Sequence, residues 1–186
     1  MHVAIIMDGN LAWAAQGGLT EKAAHVAATK AIHVAVEVAA RADVTTLTLY
    51  ALSAGDWEPA FAEKISPLLR RYLLAEGSRM QVRLVFDCSS HDALVRAAMS
   101  QDPGSHPDPG EFHLSLEKLQ DSTPLPGPVD LLIRTGCAGN FSDFMLWETA
   151  HADVVSMRLM WPDFDAARFK QALHEHGSRL GLFGSG

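Results

Sequence analysis

The chain of 186 residues lacks the features that would mark it as a membrane-spanning, disulfide-rich or nucleic-acid-binding protein. No apolar run approaches the roughly 20 residues that a membrane-spanning helix needs, so a soluble cytoplasmic protein is expected. Only two cysteines occur, Cys88 and Cys137, and their spacing is not that of a zinc site, which favours a reducing compartment over a disulfide framework. The formal charge of -7 argues against general nucleic-acid binding, which requires a basic surface.

What the chain does contain is an alternation of short apolar runs with longer helical patterns. Hydrophobic residues make up 48% of the sequence, enough for a sizeable core. The alternation predicts an α/β fold, in which a mostly parallel central sheet is flanked by helices, and one domain over residues 1–186. The predicted strands cover 2–7, 44–52, 81–86, 111–116, 129–134 and 153–160, and the predicted helices cover 20–42, 58–78, 90–100, 142–152 and 164–176.

Polar residues that follow predicted strands are the candidates for a site, because open α/β sheets bind ligands beyond the carboxyl ends of their strands. Asp8 follows a buried strand and precedes Gly9 and Asn10, which suits a Mg²⁺ ligand whose following amides face a phosphate. The same residues also suit a simple turn. Arg134 ends another buried strand and fits either diphosphate binding or a structural salt bridge.

Five further residues carry weaker signals. Ser53, Asp56 and Trp57 end the second strand, where a turn with a packed aromatic is the alternative. His25 lies in the first long helix, where most histidines are surface or satisfied core residues. Asp153 precedes the last strand and suits either a second metal ligand or a turn.

Taken together, these segments resemble the cis-prenyltransferases, whose best-known members are undecaprenyl diphosphate synthases. The resemblance rests on segments that occur in the family's order over nearly the whole chain: "HVAIIMDGN" with Trp13, then His25, "TLTLYALSAGDW", "DLLIRTG", "SDFMLWETAHAD" and "LMWPDF". It implies a Mg²⁺-dependent prenyltransferase that acts on prenyl diphosphates and forms a homodimer.

The resemblance also implies roles for single residues. Asp8 matches the family's Mg²⁺-binding aspartate, and Asp153 stands where the family has a metal-binding glutamate. Asp56 stands where the family usually has asparagine and is our candidate for the base that takes the proton. The implied catalytic residues are Asp8, His25, Ser53 and Asp56; the implied substrate-binding residues are Met7, Gly9, Asn10, Leu11, Ala12, Trp13, Trp57, Arg134, Asn140, Ser142 and Arg179.

The departures from the family pattern concern the diphosphate sites. Leu11 and Ala12 replace the usual Gly-Arg, Glu21 replaces another arginine, and residues 136–140 lack the usual Gly-Gly-Glu-x-Arg. This pattern resembles the branch that joins allylic diphosphates head-to-middle into lavandulyl-type or cyclolavandulyl-type diphosphates. Dimethylallyl diphosphate is then the expected donor, and dimethylallyl or geranyl diphosphate the expected acceptor. A regular short-chain synthase that uses isopentenyl diphosphate and a non-catalytic partner subunit remain as alternatives.

Overall fold

The computed structural model describes residues 1–51, 80–86, 89–102, 104, 106, 108–119, 127–136 and 144–181. Five strands in this part of the chain form one parallel sheet in the order β3-β2-β1-β4-β5. The predicted α/β fold with a parallel sheet is therefore confirmed. The strands are β1 (His2–Ile6), β2 (Thr46–Ala51), β3 (Gln81–Phe86), β4 (Leu131–Arg134) and β5 (Asp153–Ser156).

The central strand β1 lies between β2 and β4. Val3, Ala4 and Ile5 are fully buried, as expected for a strand covered on both faces. Ile6 pairs with Tyr50 of β2 on one side and with Arg134 of β4 on the other. Because all strands are parallel, their carboxyl ends lie together at one edge of the sheet, which we call the carboxyl edge.

Side chains of successive strand residues point to opposite faces of the sheet. The first face carries Val3 and Ile5 and is covered by two helices, α2 (Glu21–Arg41) and α5 (Ala166–Arg179). The helix α2 begins where the Thr20 hydroxyl accepts a hydrogen bond from the Ala23 amide, at 3.3 Å. The second face packs in a smaller core cluster: Ala4, Ile6, Tyr50, Val129, Leu132, Phe144 and Met145.

The prediction of a strand at 111–116 was wrong, because this segment belongs to the helix α4 (Pro109–Leu119). Its alternating pattern fits a strand, but a capping arrangement at Asp108 determines the outcome. The Asp108 carboxylate accepts from the amides of Gly110 and Glu111 at 2.8 and 2.9 Å, and the Glu111 carboxylate accepts from the Asp108 amide at 3.3 Å. Pro109 occupies the first helical position, which needs no amide donor.

Other boundaries also differ from the predictions. A short helix α1 (Asn10–Gln16) was not predicted, and the helix predicted at 90–100 is α3 (Ser90–Met99), capped by Ser89. The predicted helix at 142–152 is not helical in its described part, 144–152, which forms turns. The last helix begins at Ala166 because Trp161–Asp163 forms a 3-10 turn before it. The helices that the structure describes are all too short or too polar to cross a membrane.

Candidate active site

Asp8 and Arg134 meet at the carboxyl edge of the sheet. Asp8 comes two residues after the last residue of β1, and Arg134 is the last residue of β4. Strand alternation places both on the second face, because Ile6 and Leu132 point to that face. The Arg134 Nη2 lies 3.4 Å from the Asp8 Oδ2, and the two side chains are only 13% and 9% exposed.

The main chain of Asp8 is held from two sides. Its amide donates to the hydroxyl oxygen of Thr135 at 3.1 Å. Its carbonyl accepts from the Trp161 amide at 2.9 Å, and the Trp161 indole donates to the carbonyl of Ala28 in α2 at 3.1 Å. The position of Asp8 is therefore tied to β4, to the 3-10 turn and to α2.

Two glycines allow the close approach of main chain around Asp8. Gly9 has a φ of 100°, and a Cβ atom there would lie 3.0 Å from the Cβ and Cγ of Met160. Gly136 has a φ of 88°, and its main chain runs past the side chain of Asp8. Both conformations are in the left-handed region, which favours glycine.

Burial raises the pKa of the Asp8 carboxyl, and the charge and hydrogen bond of Arg134 oppose that rise. The Asp8 Oδ1 is buried and has no hydrogen-bond partner in the described part of the chain. The Asn10 Oδ1 is also buried and has no hydrogen-bond partner among the described residues, while the Asn10 Nδ2 donates to the Met7 carbonyl at 2.9 Å. Two buried oxygens two residues apart thus lack donors.

This donor set fits Mg²⁺. The ion prefers oxygen ligands, and proteins often supply only one or two carboxylates while water and substrate phosphates complete its coordination. Asp8 meets that need, and Asn10 offers a second oxygen. The described residues contain no group of three or more histidine, cysteine or acidic side chains placed to hold a metal ion.

The structure does not bring Asp153 to Asp8. Asp153 begins β5 and pairs with Leu131, which in turn pairs with Val3. At a rise of about 3.3 Å per residue, the levels of Asp153 and Asp8 differ by about 16 Å along the strands. One ion therefore cannot contact both carboxylates of one chain. Within one chain, this corrects the prediction that Asp153 is a second ligand of the metal ion at Asp8.

Arg179 also lies away from the carboxyl edge, beside Asp153. Its Nη1 is 3.2 Å from the carbonyl of Val154 and 3.7 Å from the Asp153 Oδ1. The His176 Nδ1 donates to the Asp153 Oδ2 at 2.7 Å. The end of α5 is thereby fastened to the start of β5.

The remaining predicted residues fall into four groups. The Met7 side chain is buried in the first-face core, and its amide and carbonyl already have partners, so the predicted substrate contact at Met7 is not supported. His25 is half-buried on α2, one turn before Ala28, and the Trp13 indole donates to Asp163 at 2.8 Å. Leu11 and Ala12 are exposed on α1. Ser53, Asp56, Trp57, Asn140 and Ser142 lie outside the described residues.

Thr135 and Trp161 were missed as parts of the site. Both were quoted within longer segments, "DLLIRTG" and "LMWPDF", but no role was given to them. A hydroxyl directly after a strand that ends in a candidate site residue is a signal that could have singled out Thr135.

Comparisons with known proteins found similar sequences over nearly the whole chain. The family model described as putative undecaprenyl diphosphate synthase matches residues 6–83 and 70–184. The chain is 32% identical to isoprenyl transferase 1 of Bradyrhizobium diazoefficiens, over 99% of this chain and 89% of that protein. It is 30% identical to the (2E,6E)-farnesyl-diphosphate-specific ditrans,polycis-undecaprenyl-diphosphate synthase of Haemophilus ducreyi, over 98% of this chain and 93% of that protein.

Among solved structures, the fold is similar to that of lavandulyl diphosphate synthase from Lavandula x intermedia, crystallised in complex with dimethylallyl diphosphate. The TM-score is 0.71, the sequence identity is 20%, and the match covers 94% of each chain.

Proposed function

The chain belongs to the undecaprenyl diphosphate synthase family of cis-prenyltransferases, and from that premise we propose that it joins short allylic diphosphates into a short, irregular prenyl diphosphate. The family assigns prenyl diphosphate synthesis of the cis-prenyltransferase type. The proposal concerns the substrates: dimethylallyl diphosphate as donor and a second dimethylallyl diphosphate, or geranyl diphosphate, as acceptor.

The observation that carries the proposal is the convergence of Asp8 and Arg134 at the carboxyl edge. In the donor, the bond between C1 and the diphosphate oxygen breaks and the diphosphate leaves with the electron pair. Bound Mg²⁺ would stabilise the charge that develops on this leaving group. Asp8 would hold the ion through Oδ1, and Arg134 would bind a diphosphate, for which its 3.4 Å contact with Asp8 leaves donors available.

The second face supplies the apolar surroundings that the allylic cation needs. Ile6 and Leu132 lie there beside the two charged groups and keep water from the cation. An internal carbon of the acceptor's double bond then forms the new bond, and a proton is lost to a base, for which Asp56 stays our candidate. The acceptor keeps its own diphosphate. Ring closure before proton loss is left open.

A short product is supported by an aromatic pair directly below the site. The rings of Tyr50 and Phe144 stack with centroids 4.3 Å apart, and the two residues are 5% and 2% exposed. In the sheet register, Tyr50 lies opposite Ile6, and Ile6 lies opposite Arg134. The two stacked rings therefore fill the second face at the level of the site. A long hydrocarbon would have to displace it.

The irregular coupling is supported by the apolar pair Leu11 and Ala12, which replaces the family's Gly-Arg. Leu11 is 45% exposed and Ala12 is exposed, both on α1 directly after Gly9 and Asn10. The place where relatives carry an arginine for a diphosphate therefore presents hydrocarbon. An altered diphosphate site with an intact Asp8 and Arg134 favours changed substrates over lost chemistry.

The test is an incubation of the purified protein with Mg²⁺ and dimethylallyl diphosphate alone, then with geranyl diphosphate added. Products are dephosphorylated and identified by gas chromatography and mass spectrometry. A branched or cyclic terpene alcohol is expected. A linear product that requires isopentenyl diphosphate would contradict the proposal and establish the regular short-chain synthase instead.

A partner subunit without catalytic activity is the alternative of a different class. Mg²⁺-dependent binding of a non-reactive diphosphate analogue separates the two, because a pure partner subunit would not need it. The Asp8→Asn variant serves as the control, since it removes the carboxylate but keeps the side-chain shape. The homodimer and the cytoplasmic location stay predictions, and analytical ultracentrifugation would check the first.

A further inference from the structure

We propose that Thr135 is a positioning residue that fixes Asp8 for ionisation of the donor diphosphate. The inference rests on the proposed function of the Asp8 site. It adds a residue whose side chain touches neither substrate nor metal and acts through the main chain of Asp8.

The hydroxyl of Thr135 makes three contacts with the end of β1. It lies 3.1 Å from the amide nitrogen of Asp8, 3.1 Å from the carbonyl oxygen of Ile6 and 3.1 Å from the carbonyl oxygen of Asp8. The oxygen accepts from the amide, and the single proton is shared between the two carbonyls. Thr135 is fully buried, so water does not compete for these contacts.

These contacts occur where the regular ladder ends. The Thr135 amide still donates to the Ile6 carbonyl at 3.1 Å, as in a continued strand pair. The next donor, the Asp8 amide, is served by the Thr135 side chain instead of by a strand carbonyl. The hydroxyl therefore sets the direction in which β1 leaves the sheet, and with it the direction of the Asp8 carboxylate.

The carboxylate itself has little else to orient it. Its Oδ2 has one long contact, 3.4 Å from the Arg134 Nη2, and its Oδ1 has no partner among the described residues. A substrate-facing carboxylate must keep such a free oxygen for its ligand. The direction of the Asp8 carboxylate must then be set by the Asp8 main chain, which Thr135 and the Trp161 amide hold.

Thr48 provides a matched control. It is also fully buried in the sheet, and its hydroxyl bonds a buried partner, the His2 Nε2, at 2.9 Å. It pairs with Ala4, well before the level of Asp8. A threonine-to-valine change at either position removes one buried hydroxyl and keeps the side-chain volume, but only the change at 135 touches Asp8.

The experiment compares Thr135→Val, Thr135→Ser and Thr48→Val. We expect kcat for the Mg²⁺-dependent reaction to fall at least about tenfold in Thr135→Val with a smaller change in KM, because a small misplacement of a reacting group has effects of that size. Thr135→Ser keeps the hydroxyl and should stay within about threefold of the wild type, as should Thr48→Val. A wild-type kcat in Thr135→Val, or an equal loss in Thr48→Val, would overturn the inference.

Amide hydrogen exchange at Asp8 gives a readout that does not depend on turnover. Exchange at Asp8 should accelerate at least about tenfold in Thr135→Val and stay unchanged in Thr48→Val. If the wild type makes no product, the proposed function fails, and this measurement still decides whether Thr135 holds Asp8. Unchanged exchange in Thr135→Val would overturn the inference even in an active enzyme.

Discussion

Gly136 passes so close to Asp8 that a Cβ atom at position 136 would lie 2.8 Å from the Cβ of Asp8. The two residues follow neighbouring strands, β1 and β4, just beyond the point where the pairing ends. Real Cβ atoms do not approach so closely, and the Asp8 main chain is held by Thr135 and Trp161, so it has little room to retreat. The absence of a side chain at 136 is therefore a condition for the carboxylate's position.

Gly136→Ala should strongly destabilise the protein and weaken Mg²⁺-dependent diphosphate binding. The change adds left-handed strain of about 1–2 kcal/mol and overpacking of about 1–3 kcal/mol. Gly18→Ala is the control, because Gly18 also has a positive φ, 61°, but open space around it. In urea unfolding, Gly18→Ala should lose only the free energy that corresponds to the left-handed strain. An equal loss of unfolding free energy in both variants would mean that the close contact with Asp8 does not add to the destabilisation.

Asp8→Asn should abolish activity and yet raise Tm at neutral pH. Burial raises the Asp8 pKa despite Arg134, so the ionised carboxylate is less favourable in the fold than in the unfolded chain. This penalty is complete above the folded pKa and fades as the pH falls towards the ordinary value of 3.8. The gain should be a few degrees, since about 1 kcal/mol corresponds to 2–4 °C in a chain of this size.

Glu148→Gln is the matched control for that prediction. Glu148 is 4% exposed, burial raises its pKa, and its Oε1 has no hydrogen-bond partner in the described part of the chain. This variant should also raise Tm at neutral pH, but it should keep activity because Glu148 is not part of the Asp8 site. Thermal scans and product assays on both variants would separate stability from function; a lower Tm in both would refute the argument.

Acidification below pH 7 should weaken the fold through His2. The His2 Nδ1 donates to the Gly127 carbonyl at 2.9 Å, which leaves Nε2 to accept from the Thr48 hydroxyl, an arrangement that only the neutral ring satisfies. Burial, with a smaller effect from Arg83, lowers the His2 pKa from its ordinary 6.5, against the opposing effects of the hydrogen bond to the Gly127 carbonyl and of the Asp130 charge. The unfolded chain therefore takes up the proton first.

The stability from neutral His2 is complete above pH 6.5 and falls as the pH drops towards the folded pKa. The loss should reach up to about 1.4 kcal/mol per pH unit. Urea unfolding at pH 7.5 and 5.5 should show a smaller pH dependence in His2→Gln than in the wild type. His151→Gln, at an exposed position, is the comparison, and an equal change in both variants would point away from His2.

Phe144→Leu should lengthen the product. The change removes the ring that stacks on Tyr50 below the site and opens the second face to a longer hydrocarbon. Phe169→Leu is the control, because Phe169 is fully buried on the first face, away from the substrates. Mass spectrometry of products formed from a mixture of dimethylallyl and geranyl diphosphates should show a larger share of the longer, geranyl-derived product only for Phe144→Leu; an unchanged share would mean that the aromatic pair does not limit the product.

Local patterns in the sequence predicted most of the sheet but not all of the helices around it. The nearly continuous apolar run 2–7 is typical of a buried parallel strand, and β1 formed there; the predicted strand at 81–86, in which Gln81 and Arg83 alternate with apolar residues, formed as β3. The segment 111–116 fits a strand period as well as a helix, and the Asp108 cap settled it. The residues that favour a helix start, Asp108, Pro109 and Glu111, are present in the sequence. The prediction followed the alternation of side-chain polarity over 111–116 instead.

The candidate site was predictable only in part. Asp8 and Arg134 follow from the rule that ligands bind at the carboxyl ends of strands. The sequence pattern already placed Asp153 at the start of the last strand; that this strand pairs parallel with β4, so that Asp153 lies at the opposite edge from Asp8, required the structure. The role of Thr135 depends on the pairing of β1 with β4, between residues more than a hundred positions apart, and no local pattern reports it.

The sheet order has a consequence for synthesis of the chain. Strand β1 leaves the ribosome before the other four described strands but lies in the middle of the sheet, and the 126 positions from Asp8 to Arg134 take on the order of 6–25 s to translate at about 5–20 residues per second. During that interval β1 can pair with β2, and β2 with β3, while the other edge of β1 stays open to a foreign strand. Nascent chains of this protein therefore carry an unpaired edge on β1 until β4 emerges, and the contact between Asp8 and Arg134 forms only after β4 has joined β1.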